Sequence, residues 1–358
     1  MKKIILMLSV ISAQILSAAE FPVPKIEFNP HYYICHKTPE APTIDGKISE
    51  KSWENVKWSE SFVDIEGDLK PLPEFDTKVK MMWDDNYFYF AALMEEPHVW
   101  GKLTERDAVI FHDNDFEIFI DPDGDTHDYY EFEVNALNTV WDLLIAMPYR
   151  DMQKVAIDSW NIVGLKSAVY VSGSVNNPED TDNFWSVEAA IPWQVLEERA
   201  DNYPPKEGTQ WRVNFSRVEW DTEIKNGEYH KLKKPEHNWV WSPQGLIAMH
   251  YPEMWGFVQF SETSPEQSGK IKYIHHPVED VKWELRKFYY FQKNYCEKKG
   301  EYCRRTEELP LKINEIKGFE DKIMFTATRA GYEAVIQAED KKSFVAINQN
   351  GLCKVYDE

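Results

Sequence analysis

Apolar and polar residues alternate along most of the chain, and this period-two pattern predicts a protein built mainly from β-strands. Turn residues such as Asp84-Asp85-Asn86 and Asp123-Gly124 separate the runs. Because no long helix intervenes between them, the pattern favours an all-β, antiparallel β-sandwich that closes over one core. The nine predicted strands span residues 77–83, 87–93, 116–120, 129–135, 140–146, 168–172, 185–191, 211–218 and 256–260.

Two short helices are predicted among these strands. The segment 42–56 carries an Asp45-Gly46 turn followed by a short helical pattern in which Trp53 faces inward. A second short helix is expected at 193–199, directly after a proline.

The pattern changes after the sandwich, which we assign to residues 38–261. Residues 262–276 favour a linker. Apolar positions then recur at helical spacing and predict an amphipathic helix that ends near Gly300. Because a small meander buries little surface alone, we expect this C-terminal unit, 277–358, to pack on the sandwich. The strands of the meander are predicted at 322–328, 332–338 and 343–348.

The N-terminus predicts export. Lys2 and Lys3 precede an apolar run and small residues, which predicts a signal peptide over residues 1–19 that is cleaved near Ala19. We therefore expect a secreted or periplasmic protein. The formal net charge of -21 becomes -23 once Lys2 and Lys3 are removed. A charge of this sign excludes nucleic acid as a partner, and no later stretch has the roughly 20 apolar residues of a transmembrane segment.

Several motifs occur in an order that resembles a known family. The piece FEIFIDPDGD (116–125) follows a WDDNY hairpin (83–87), with PTIDGKISEKSWENV before them and YYEFEVNALNTVWD, WSVEAAIPW and MWGFVQF after them. Between Ala41 and Ser261 this order resembles the family 9 carbohydrate-binding modules, β-sandwiches attached to xylanases and other polysaccharide-degrading systems. The resemblance implies sugar binding, often with structural calcium. The same sandwich also resembles haem-binding modules of secreted electron-transfer proteins, for which Met249 and His250 are the candidate axial ligands.

The resemblance also implies where a sugar would bind. In the sugar-binding members two tryptophans clasp a terminal sugar, while a glutamate, an arginine and amides bind its hydroxyls. Glu117 matches that glutamate. The first aromatic position falls at Phe111, the arginine position at Glu133, and the second tryptophan position near Met249 or His250. Further candidates for a stacking platform are Trp239, Trp241 and Trp255.

The strand at 211–218 offers a second set of ligands. Val213 and Phe215 give way to Arg217 and Glu219 on the same face. This change favours a pocket at the sheet edge in which both charged side chains bind sugar hydroxyls. The alternative is a structural Arg217–Glu219 ion pair, because an inward charge must be paired.

Acidic residues concentrate in the strand at 129–135 and in the turn before it. Glu131, Glu133 and Asn135 share one face, which is either an ordinary solvated face or a concave hydroxyl-binding face that also uses Glu117. The turn is either a calcium site or a polar hairpin, and its spacing is not that of an EF-hand. The candidate calcium ligands in the turn are Asp121, Asp123 and Asp125.

The four cysteines predict two disulfide bonds, because an exported chain with an even number of cysteines usually oxidises them. Cys296 and Cys303 are too far apart on an unbroken helix, so a bridge between them requires the helix to break at Gly300. The second expected bridge joins Cys35 to Cys353.

These observations favour a non-catalytic protein that captures an oligo- or polysaccharide, in association with glycan-degrading enzymes. The sequence contains no nucleophile elbow, phosphate loop or metalloprotease helix. A glycan-processing hydrolase on the same sandwich and a haem-binding electron-transfer module are the alternatives. Apart from structural calcium, no cofactor is expected.

Overall fold

A computed structural model describes residues 20–200, 202–309 and 313–357. The predicted signal peptide, residues 1–19, lies outside the described residues. Within them the backbone forms nineteen strands and three α-helices, and none of these helices is long and apolar enough to cross a membrane. The helices are α1 Lys51–Glu54, α2 Trp193–Leu196 and α3 Pro277–Lys299. The strands are β1 Tyr32–Lys37, β2 Val63–Asp64, β3 Thr77–Trp83, β4 Tyr87–Glu95, β5 Asp115–Asp121, β6 Tyr129–Asn135, β7 Val140–Ile145, β8 Ala156–Ile157, β9 Lys166–Ser172, β10 Phe184–Pro192, β11 Gln210–Glu219, β12 Thr222–Lys225, β13 Glu228–Lys231, β14 His237–Val240, β15 Gly256–Ser261, β16 Met324–Ala327, β17 Tyr332–Gln337, β18 Ser343–Asn348 and β19 Cys353–Asp357.

The largest sheet has 13 strands and curls on itself to form the sandwich. Its order is β8-β7-β6-β5-β11-β15-β1-β3-β4-β10-β9, and β14 pairs with both β11 and β2. The all-β sandwich is therefore confirmed. The N-terminal strand β1 pairs in parallel with β15 and with β3, whereas the other pairings in this sheet are antiparallel. Strand β1 thus links the last strand of the sandwich to one near its start.

The inward faces of these strands share one apolar core. The rings of Phe116 on β5 and Phe215 on β11 stack with centroids 5.9 Å apart, and Trp193 at the start of α2 packs edge-on against Trp211. Because β5 and β6 direct apolar residues such as Ile118 and Phe132 into this core, period-two alternation places their carboxylates on the opposite face.

A buried glutamate joins two motifs that are far apart in the sequence. Glu188 on β10 accepts hydrogen bonds from the backbone amides of Asp45 and Gly46, at 3.0 and 2.9 Å, and from Trp53 Nε1 at 2.7 Å. Gly46 has a φ of +85°, and a Cβ there would lie 2.5 Å from the carbonyl carbon of Val169. The Asp45-Gly46 turn and the inward-facing Trp53 are thus anchored by one carboxylate.

The C-terminal unit consists of α3 and a four-stranded antiparallel sheet of β16, β17, β18 and β19. Its last strand, β19, extends the three-stranded meander expected from the sequence. The apolar face of α3 carries Val281, Leu285 and Phe288, which share a second core with Ile336 and Val345. The helix ends at Gly300, whose φ of 72° provides the left-handed C-cap that the sequence predicts.

Charged groups hold this unit against the sandwich. Glu253, from the loop before β15, pairs with Arg150 at 2.9 Å and accepts a hydrogen bond of 2.5 Å from the Tyr290 hydroxyl. Arg286 on α3 lies 3.5 Å from the same carboxylate and donates to the carbonyl of Gly351 at 2.7 Å. The expected packing of the two units is therefore present in the structure.

All four cysteines are free thiols, which corrects the two predicted disulfide bonds. Cys35 belongs to the core of the sandwich and Cys353 to that of the C-terminal unit, so each is enclosed by different apolar residues. Although the helix does break at Gly300, Cys303 turns back to hydrogen-bond Gln292 through both its amide and its carbonyl, at 2.8 and 3.0 Å.

Candidate functional site

The polar face of β5 and β6 forms the floor of a cleft. Glu117 on β5 lies directly opposite Glu133 on β6, and Glu131 lies two positions before Glu133 on the same face of β6. The side chains between them, among them Phe132 and Ile118, point into the core. The three glutamates therefore lie side by side on the outer face of the sheet.

We call this cleft the acidic cleft. It has a volume of about 370 Å³. Trp141, opposite Glu133 on β7, and Phe111 form one wall, with ring centroids 6.5 Å apart and planes inclined by 29°. The amide of Phe111 also donates to Glu133 Oε2 at 3.2 Å, which ties this wall to the floor. The cleft is lined by Ile65, Phe111, Glu117, Phe119, Glu131, Glu133, Trp141, Leu143, Tyr149, Val218, Glu236, Asn238, Ile247, Ala248, Met249 and His250.

Burial dominates the electrostatics of the acidic cleft. It raises the pKa of Glu117 to about 7 and raises the pKa of Glu131 and Glu133, whose charges also repel Glu117. Among the described residues, none of these three carboxylates forms an ion pair with Lys, Arg or His. The floor of the cleft thus offers many oxygen acceptors, and no basic side chain among the described residues pairs with its carboxylates.

His250 closes the other side of the acidic cleft as a neutral ring. Its Nδ1 shares a hydrogen bond of 2.9 Å with the hydroxyl of Tyr129, and Tyr149 packs edge-on against it with centroids 4.5 Å apart. Burial and the nearby Arg150 guanidinium lower the pKa of His250 to about 3. The ring therefore offers an uncharged polar edge next to aromatic surface.

Residues 44–232, more than half of the chain, match the family described as carbohydrate family 9 binding domain-like. The chain belongs to this family. It is also 31% identical over 102 residues to endo-1,4-beta-xylanase A of Thermotoga maritima (strain ATCC 43589 / DSM 3109 / JCM 10099 / NBRC 100826 / MSB8). That stretch is 27% of this chain and 9% of the xylanase, so the chain spans less than a tenth of that relative.

Solved structures of the same fold are similar at low sequence identity. A putative carbohydrate-binding protein from Bacteroides uniformis ATCC 8492 matches with a TM-score of 0.50 and 16% identity, over 65% of this chain and 100% of that one. A family 9 module from Caldicellulosiruptor kristjanssonii, solved with cellotriose, matches with a TM-score of 0.42 and 17% identity, over 68% and 100%. At 16% identity the likeness to the Bacteroides uniformis protein describes only the fold of the family 9-like domain.

Two of the residues predicted to bind a ligand are structural in this family 9-like domain. Arg217 is fully buried, and its guanidinium binds Glu219 and Glu96 at 2.8 and 2.9 Å, Thr77 Oγ1 at 3.1 Å and the carbonyl of Glu95 at 2.8 Å. Its Nε also donates to Glu219 at 3.1 Å, so all three nitrogens are engaged and no donor remains for a sugar. This corrects the assignment of Arg217 and Glu219 as hydroxyl ligands and supports the alternative, a structural ion pair.

Trp241 is also part of the core rather than a stacking platform. It is fully buried, it packs on Gly256, and its Nε1 donates to Glu60 at 3.2 Å. Trp255 is equally buried and donates to the carbonyl of Met249 beneath the acidic cleft, at 2.9 Å. Neither ring has a face free for a ligand.

Trp239 borders a second cleft, which we call the rim cleft. This cleft has a volume of about 480 Å³ and lies over the Arg217 ion pairs. Trp239 is only 4% exposed, and its ring faces the Arg217 guanidinium at 5.1 Å. The aromatic and acidic residues that border the rim cleft are Asp64, Glu74, Phe75, Glu96, Trp100, Glu219, Trp220, Asp221 and Trp239.

The three aspartates predicted as calcium ligands do converge. Asp121, Asp123 and Asp125 place carboxylate oxygens within 4.8 Å of one another. Asp121 also accepts the amides of Gly124 and Thr126, both at 3.0 Å, as in a polar hairpin turn. Lys354 on β19 lies 2.7 Å from Asp125 and 3.7 Å from Asp123. The turn thus has ligand-like geometry and an ammonium group that partly neutralises it, and the calcium prediction stays a prediction.

Three residues at the acidic cleft were not predicted from the sequence: the aromatic residues Trp141 and Tyr149, and Asp115, a buried carboxylate below the cleft. A signal for Trp141 exists in the sequence, because a tight turn after Asn135 would pair the next strand with β6 and place Trp141 beside Glu133. Tyr149 lies in a loop after β7, where alternation gives no direction for its side chain.

Proposed function

We propose that this family 9-like domain binds an oligo- or polysaccharide in the acidic cleft, as an exported, non-catalytic protein that acts with glycan-degrading enzymes. The observation that carries this proposal is the pairing of half-exposed rings, Phe111 and Trp141, with the acceptor-rich floor of Glu117 and Glu133. Sugar rings present weakly apolar faces and many hydroxyl donors, so they fit an aromatic wall beside carboxylate acceptors. The position of Glu117 within the family pattern supports the same cleft.

A glycosidase also uses paired carboxylates, but it places them on either side of the scissile bond. Glu117 and Glu133 are neighbours on adjacent strands and project from one floor, so both would approach a sugar from the same side. This arrangement supports binding more than hydrolysis. The candidate haem ligands, Met249 and His250, line the cleft next to its carboxylates, which would repel the propionates of haem.

The test is calorimetric titration with xylan, glucan, mannan and host-glycan fragments. Trp141→Ala should weaken binding by about 1–3 kcal/mol, because the ring supplies much of the apolar contact. Trp58→Ala is the matched control, since Trp58 is a partly exposed tryptophan outside the cleft, and it should leave the affinity unchanged. Equal affinities for wild type and Trp141→Ala would place the site elsewhere. Released product after prolonged incubation, or a visible haem absorption band in the purified protein, would replace the proposal with one of its alternatives.

A further inference from the structure

A compact group of carboxylates lies at the floor of the acidic cleft and directly below it. Asp115 and Glu117 on β5 and Glu133 on β6 each place an oxygen within 4.8 Å of the others. All three side chains are 6% exposed or less. The group is thus held by the central strands of the sheet and not by a loose surface loop.

Two buried carboxylate oxygens in and beside this group have no hydrogen-bond partner among the residues that the structure describes. They are Asp115 Oδ2 and Glu131 Oε2. Glu131 is not one of the three residues of the group, but it lies two positions before Glu133 on the same face of β6. A buried oxygen without a partner costs free energy, and a buried carboxylate costs more. Both oxygens therefore indicate that something outside the protein completes this site.

The acidic turn of the same domain provides a comparison. There, Lys354 approaches Asp123 and Asp125 and supplies a positive charge. Within the described parts of the chain, no Lys, Arg or His forms an ion pair with Asp115, Glu117, Glu131 or Glu133. The carboxylates of the cleft floor are the more buried cluster and the one without a cation of its own.

We propose that Asp115, Glu117 and Glu133 bind a divalent cation that prefers oxygen ligands, such as Ca²⁺, at the floor of the acidic cleft, with Glu131 completing the anionic set. Ligand oxygens lie about 2.3–2.6 Å from Ca²⁺, so oxygens on opposite sides of one ion are about 5 Å apart. The observed spacing fits that limit, and the open cleft leaves room for water on the remaining positions. This site shares Glu117 and Glu133 with the proposed glycan site, but cation binding does not require a glycan.

The test uses the mature protein stripped with EDTA and titrated with Tb³⁺ alone. Tb³⁺ takes oxygen ligands like Ca²⁺, and excitation of the nearby Trp141 should sensitise its luminescence, which added Ca²⁺ should then quench by displacement. Glu117→Gln and Glu133→Gln should each weaken binding about tenfold or more, because each removes a charged ligand. The matched control is Asp123→Asn in the acidic turn, which should bind as wild type does.

Thermal melts distinguish a variant that has lost cation ligands from a variant that has misfolded. Removing one of several crowded carboxylates relieves repulsion, so Glu117→Gln should melt at a higher temperature than wild type in EDTA. Wild type should gain melting temperature with Ca²⁺, while Glu117→Gln should gain much less. No cation binding by wild type at millimolar concentration, or a signal that survives Glu117→Gln and disappears in Asp123→Asn, would overturn the proposal. Since no glycan is present, either result leaves the glycan proposal standing.

Discussion

At the scale of single residues, the close contact between Gly46 and β9 shows how one glycine holds the Asp45-Gly46 turn against the sandwich. The backbone of Gly46 is left-handed, and its Cα faces the main chain of Val169 with no space for a side chain. Only glycine meets both conditions without strain. The amide of the same residue donates to Glu188, so a shift of the turn would also disturb a buried carboxylate.

Gly46→Ala should therefore lower the free energy of unfolding by about 3 kcal/mol, from left-handed strain together with the clash against Val169. Gly208→Ala is the matched control, because Gly208 has a similar φ of +81° but no atom of the described residues within 4 Å of the added Cβ. It should lose only about 1 kcal/mol. Urea denaturation measures both values, and equal losses would show that the close approach to β9 contributes nothing.

The sequence predicted which strand face each candidate ligand lies on, but not whether that side chain is accessible to a ligand or buried. Phe111, Glu117, Glu133 and His250 come together in one cleft, as the family pattern implied. Alternation also placed Arg217 on the face of β11 that carries Val213 and Phe215, but it could not show that the rings of Phe75 and Trp239 cover the guanidinium there. Whether the charged end of a core-facing row of side chains is open or covered depends on tertiary packing, which a single strand does not reveal.

At the scale of secondary structure elements, long alternating runs were predictable and short strands were not. The predicted bounds of β3 and β6 match the structure, and those of β11 differ by one residue at each end. Strands such as β2 and β8 have two residues each, too few to establish a period. Strand β1 was not predicted. It lies between β15 and β3 and pairs in parallel with both, a position that results from closure of the sheet and not from alternation of apolar and polar residues within β1.

The contact of α3 with the sandwich should depend on pH through Glu253. Burial alone would raise the pKa of Glu253, but Arg150 and Arg286 outweigh it and lower the pKa from 4.5 to about 2. A lowered carboxyl pKa contributes stability that is present above pH 4.5 and is lost as the pH falls toward 2. The shift corresponds to about 3 kcal/mol at neutral pH.

Glu253→Gln should accordingly destabilise the protein at pH 6, and its difference from wild type should narrow between pH 5 and pH 3. Glu297→Gln, at an exposed position of α3, is the control and should follow wild type throughout. Thermal melts at several pH values measure the difference. A gap that stays constant with pH would mean that lost packing, and not the charge of Glu253, causes the effect.

At the scale of the whole molecule, the acidic turn connects the two units of the chain. The turn between β5 and β6 belongs to the sandwich, and β19 belongs to the C-terminal sheet. The amide of Cys353 donates to the carbonyl of Asp125 at 3.2 Å, and Lys354 binds the carboxylate of the same aspartate. A cation at this turn, whether an ammonium group or calcium, would therefore affect how firmly the C-terminal unit is held.

This arrangement predicts a competition between Lys354 and calcium at Asp121, Asp123 and Asp125. Without Lys354, burial and the mutual repulsion of the aspartates would no longer be offset, and an added divalent ion could take the vacated position. In a Glu117→Gln background, which removes the proposed ion of the acidic cleft, Lys354→Ala should melt lower than its parent in chelator. Added calcium should restore part of that loss, by mass action on the folded state. Adding Asp123→Asn to Lys354→Ala should abolish this recovery of the melting temperature by calcium. If Lys354→Ala instead melts identically in calcium and in chelator, the turn is a polar hairpin that binds no calcium, and its cation is the Lys354 ammonium group.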